Sequence, residues 1–236
     1  MKAAVLLVCV VMLVAAAAEE KYHKRVGIPM AAKIRRQESM RIAGGLSSYN
    51  GEHPFFVVLG TVTLFSGGTR KYAYSVTLHP EYNPNTLAND IAMVNVPYIY
   101  SSSFISPIIL PVGYFSSLEG YTAEIIGFGR TSPTGPLDGS SSLRDVFVKV
   151  MSNTQCKAIY GDIVTLDHMC TSGDGGKGAC GGDYGGPLIL RRYLGASGED
   201  MLVGLVSFTA AAGCNAGYPT GYTRITSHLR WINSFL

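Results

Sequence analysis

Charge is scarce in this 236-residue chain. Only 15% of its residues are charged against 47% hydrophobic, which excludes the disordered class that cannot bury enough apolar surface. Long apolar runs are scarce too. The one that occurs, Ala3 to Ala18 in MKAAVLLVCVVMLVAAAA, is rich in alanine and shorter than the ~20 residues a spanning helix needs. With Lys2 before it and small residues leading to Glu19 and Glu20, it reads as a secretory signal over 1–18 rather than a membrane anchor. The protein is therefore expected outside the cell and not in a membrane. Metal-ligand clusters, nucleotide loops and internal repeats are missing, so no cofactor and no metal are expected.

A basic excess is missing from most of the chain. The net charge is +3, but residues 19–41 hold seven Lys or Arg against three Glu, and residues 42–236 hold 11 basic against 13 acidic side chains. The excess belongs to a leader, which argues against a nucleic-acid partner.

Cysteine is sparse. Cys9 leaves with the signal, and Cys156, Cys170, Cys180 and Cys214 remain. Four cysteines in an oxidising compartment imply two bridges, with three pairings possible.

What the chain does have is a series of short strand-like segments between polar, glycine-rich connections: 57–65, 71–78, 90–96, 123–130, 145–151 and 201–208. Turn signals at 82–85 and 139–142 separate them, the spacing of an all-β sandwich or barrel. Ile225, Leu229, Ile232 and Leu236 recur at helical spacing beside Trp231 and predict a closing amphipathic helix.

Five runs in order, RIAGG at 41–45, LHPEYNPNTLANDIAMV at 78–94, GACGGDYGGPL at 178–188, LVSF at 205–208 and GYTRITSHLRWI at 221–232, resemble the chymotrypsin-like serine proteases, above all secreted insect chymotrypsins. The likeness covers Ile42 to Leu236, after a propeptide at 19–41. It implies an all-β fold of two antiparallel β-barrels with a cleft between them, and a Ser-His-Asp triad.

Residue by residue, that triad is degraded. Asp90 matches the aspartate, whose other reading is a strand-start acceptor of backbone hydrogen bonds. The catalytic histidine is absent, because none of His23, His53, His79, His168 or His228 stands in an Ala-Ala-His-Cys run, and all five read as surface or turn residues. A segment of roughly forty residues that carries it in relatives is missing after GEHPFF, a large part of a unit of about 100. The N-terminal barrel is therefore expected to be truncated, with open edges that invite pairing with another chain. Tyr184 stands where the nucleophilic serine would be, and a phenol with a pKa near 10 and no base beside it is a poor nucleophile.

Other family features are retained. The resemblance implies an activation cut after Arg41 by a trypsin-like protease, pairing of the Ile42 amino group with Asp183, and an oxyanion hole from the backbone amides of Gly182 and Tyr184. It also implies a specificity pocket floored by Gly178 and lined by Ser207, Phe208 and Thr209, with an apolar or aromatic preference. The implied bridges are Cys156–Cys170 and Cys180–Cys214. Together these features point to a secreted, catalytically inactive homologue that binds peptides, protease inhibitors or active proteases. The alternative is a digestive endopeptidase of chymotrypsin-like specificity whose sequence is incomplete or atypical.

Overall fold

A computed structural model describes residues 46–47, 73–102, 105–111, 117–135, 143–191 and 200–236. The expected strand at 57–65, the turn at 139–142, His23, His53, Arg41 and Ile42 lie outside these residues.

Residues Arg144–Met151 (β5) alternate with period two. Val146, Val148 and Val150 turn into a core, while Phe147 and Lys149 turn outward. Their strand pairs antiparallel with β4 (Thr122–Gly127) along one edge, and with β1 (Leu46–Ser47) and β6 (His168–Thr171) along the other. From β4 the pairing continues through β7 (Pro187–Leu190), β8 (Met201–Phe208) and β9 (Thr220–Arg224) back to β6. Six strands therefore close into a barrel, which leaves no free edge. Its interior holds Ile125, Val148, Leu188, Val203 and Tyr222.

The first half contributes, among the described residues, a two-stranded antiparallel pair, β2 (Ser75–Leu78) and β3 (Ala92–Asn95). No residue of β2 is buried, whereas Ala92, Met93 and Val94 of β3 are. Ile91 and Met93 dock against Leu202 and Leu205 of β8 and against Ile225 and Ile232 of the C-terminal helix. The remainder of the expected first barrel lies outside the described residues.

Two α-helices complete the fold among the described residues. The short α1 (Asn153–Tyr160) escaped the strand-based reading, although Ser152 and Gln155 form a capping box at its start. Ile225–Asn233 forms α2. It ends before Leu236, which is exposed rather than part of the apolar stripe. Ser234, one residue past the helix, closes its end through bonds to Trp231 O, and the last residues turn away from the core.

Bridges join Cys156 to Cys170, tying α1 to β6, and Cys180 to Cys214, tying the segment before β7 to the one after β8. Each contributes about 2 to 4 kcal/mol, mainly by restricting the unfolded chain. A charged contact that was not anticipated lies on β4: Glu124, 1% exposed, meets Arg191 Nε at 3.0 Å, and Arg191 also bonds Asp200 at 2.9 Å.

Candidate active site

The register between β8 and β9 shifts between Val206 and Phe208, so Ser207 is the extra residue of a β-bulge. That re-aims its side chain. Ser207 Oγ donates to Asp90 Oδ2 at 2.7 Å, and Thr223 Oγ1 donates to the Asp90 carbonyl at 2.7 Å. Asp90 is 3% exposed. Burial pushes its carboxyl up to about 6, partly offset by the Ser207 bond. Asp90 stands just before β3 as a buried carboxyl whose bond comes from the Ser207 hydroxyl rather than from a backbone amide. Ser207, the residue expected on the pocket wall, gives its hydroxyl to this carboxyl.

No described histidine bonds that carboxylate. His79 accepts a bond from the Glu81 amide, while His168 and His228 bond Leu87 O and Asn89 Oδ1. The expectation of surface or turn positions fails for two of them. His168 is 1% and His228 3% exposed; each ring bonds one group nearby in sequence, at Thr165 and Arg224, and one distant group, Leu87 O and Asn89 Oδ1, inside the protein. His79 does lie in the turn after β2, half-buried against Trp231.

Tyr184 sits in a tight turn. The Asp183 amide donates to Cys180 O, the Gly186 amide to Asp183 O and the Gly185 amide to Val206 O. Gly182 and Gly185 hold φ of +92° and +78°. From this turn the Tyr184 ring packs against the barrel core, and its hydroxyl lies 3.0 Å from Thr209 Oγ1. Its side chain therefore spans from the nucleophile position to the segment expected to line the pocket.

Asp183, 2% exposed, accepts the Gly129 amide at Oδ1 (2.7 Å) and the Cys180 amide at Oδ2 (2.9 Å). Backbone donors of two segments thus stabilise its buried charge. The carboxylate occupies the space a side chain on Gly129 would need. Gly178 is buried for a comparable reason: a Cβ there would come within 2.8 Å of Thr220 Oγ1, which also accepts the Ala179 amide. Phe208 is buried, edge-on to Tyr160 and His168, with its ring over Gly221. The Tyr160 hydroxyl donates to Pro219 O and is pushed up to about 12, first by burial and then by Tyr218 and Tyr184. Tyr160 and Tyr218 had no motif to mark them in the sequence.

Among the described residues no group of three His, Cys, Asp or Glu could hold a metal. The arrangement gathers a carboxyl, a hydroxyl and a phenol around one turn, with the carboxyl bonded to Ser207 and the phenol to Thr209.

Comparison with known proteins agrees with this fold. The chain is 40% identical over 159 residues to Brachyurin of Leptuca pugilator, covering 67% of this chain and 65% of that protein. It is 31% identical over 179 residues to Collagenase of Hypoderma lineatum, covering 75% and 65%. It therefore spans just under two thirds of these relatives' length. The solved structure of HL collagenase superposes with a TM-score of 0.71 at 26% identity, over 83% of this chain and 99% of that one. Residues 44–232 match the Trypsin domain, and with the closed second barrel, the two bridges and the buried Asp183 turn, they establish that this chain belongs to the trypsin family of serine endopeptidases.

Proposed function

We propose that this chain is a secreted, non-catalytic member of its family that acts by binding peptides, protease inhibitors or active proteases. The observation that carries the reading is the contact between Tyr184 and Thr209, which ties the residue at the nucleophile position to the segment opposite. A phenol is a weak nucleophile at neutral pH and does not play the part of the serine in this reading. Losing nucleophile or base from such a triad costs on the order of 10⁶ in turnover, about 8 kcal/mol of transition-state stabilisation. Since the ring fills the space ahead of Thr209, a partner engages the cleft rim rather than inserting a side chain into the pocket.

Two bridges and the leader at 1–18 support export. Activation by a cut after Arg41, with Ile42 pairing to Asp183, belongs to the same reading, and so do the oxyanion donors Gly182 and Tyr184. A new N-terminus at Ile42 after limited trypsin treatment is its direct signature.

A second reading, a serine endopeptidase with chymotrypsin-like preference, is favoured by relatives named as serine proteases. Fluorophosphonate labelling after trypsin treatment separates the two. The binding reading expects none, in the natural chain or in Tyr184→Ser, because no base serves the new hydroxyl. Labelling of the natural chain overturns it.

A further inference from the structure

The three described histidines all lie at the seam between the β2–β3 pair and the second barrel. His79 is 4.8 Å from the ring of Trp231 and 5.6 Å from that of His228, both on α2. His228 bonds Arg224 O through Nδ1 at 2.9 Å and Asn89 Oδ1 through Nε2 at 3.1 Å. His168 donates from Nε2 to Leu87 O at 3.1 Å, while its Nδ1 accepts the Thr165 amide at 3.3 Å and meets Thr165 Oγ1 at 3.0 Å.

These bonds have particular targets. Leu87 and Asn89 are the two non-glycine residues with positive φ among the described residues, at 57° and 54°. For a leucine that conformation is strained, because Cβ comes too close to the following carbonyl oxygen. Thus the strained segment leading into Asp90 is held at both strained points by a histidine of the opposite half. Leu87 also packs with Phe208, which His168 meets edge-on at 5.7 Å.

We propose that His168 is a proton-sensitive clamp, which as neutral imidazole holds Leu87 to the second barrel and on binding a proton at Nδ1 releases the 86–90 segment and uncovers Phe208. The incoming proton takes the lone pair that accepts the Thr165 amide. It also places a charge where water does not reach, beside Arg224 and His228. Opening the seam hydrates that charge and lets Leu87 leave its strained conformation.

The charged and titratable groups facing the cluster are His79 and Glu81 from the hairpin side, Asp167 from the loop before β6, Arg224 from the end of β9 and His228 from the middle of α2. At His168 burial is the largest cause and lowers the pKa from 6.5; the Leu87 bond and Asp167 favour the proton, His228 and Arg224 oppose it, and Glu81 favours a proton at His79, so release is driven by the cost of a buried charge and not by loss of the Leu87 bond. Docking is therefore at full strength above pH 6.5 and weakens as pH falls below that value toward the lowered one.

Amide hydrogen exchange on the full chain between pH 7.5 and 5, corrected for intrinsic rates, tests this. Protection of residues 86–91 should fall at least about fivefold relative to β9, and His168→Gln, which keeps a donor and an acceptor but does not titrate, should abolish the trend. Flat protection in the natural chain, or an unchanged trend in His168→Gln, overturns the clamp. Should the variant not fold, a ring NMR titration of the natural chain decides: His168 and the Leu87 amide titrating together supports the clamp, and His168 titrating alone overturns it.

Discussion

The two halves of the molecule solve the same problem unequally. In the second, six strands return on themselves, and β8 is buried at every position. In the first, the described β2 has no buried residue and β3 relies on the other half for cover. A closed barrel supplies its own partners, while the described β3 takes its cover from what it docks against. Accordingly, the polar residues at the seam, Asp90, His168 and His228, are bonded across it.

Arg191→Met should break the second barrel most severely. It leaves Glu124 charged and buried, at a cost of about 3 to 5 kcal/mol, and the added substitution Glu124→Gln should recover much of that loss in denaturant titrations. Ile125→Ala, at a fully buried position of the same barrel, should cost about 2 to 5 kcal/mol, whereas Leu78→Ala in half-exposed β2 should cost less than about 1. Equal costs at the two sites would erase the contrast between the halves.

Asp90→Asn should sharpen it with the opposite sign. The Asp90 carboxyl titrates at about 6 rather than 3.8, so the folded protein bears the cost of burying its charge above pH 6 and not below 3.8. The variant, still able to accept from Ser207, should gain about 3 kcal/mol at pH 7, and the gain should fade as pH falls from 6 to 3.8. A pH-independent gain would mean that charge burial is not its source. Smallest, Tyr184→Phe should cost about 1 kcal/mol through loss of the Thr209 bond. It should also increase side-chain motion of Thr209 in methyl NMR relaxation.

How much of this was legible depends on how far each signal reaches along the chain. The alternation of β5 and the unbroken apolar run of β8 are local, and both read as strands. The capping box at Ser152 and Gln155 was equally local, and its S-x-x-Q pattern is the signal that would have revealed α1. Burial of His168 and His228 was not legible, because their partners Leu87 and Asn89 lie 81 and 139 residues away. Nothing near Glu124 in TAEIIG announces Arg191 either. For the site, motif matching located Asp90, Asp183 and Tyr184. Their new contacts, Ser207 re-aimed by a bulge and Thr209 taken up by a phenol, follow from three-dimensional placement alone.

The interlock of Asp183 with Gly129 has a consequence for descent. Since the carboxylate fills the volume where a methyl group on Gly129 would go, the two positions cannot drift independently. A lineage can shorten Asp183 first and enlarge Gly129 afterwards, but the reverse order passes through a clash. Once Asp183 is shortened and Gly129 is filled, the way back is closed.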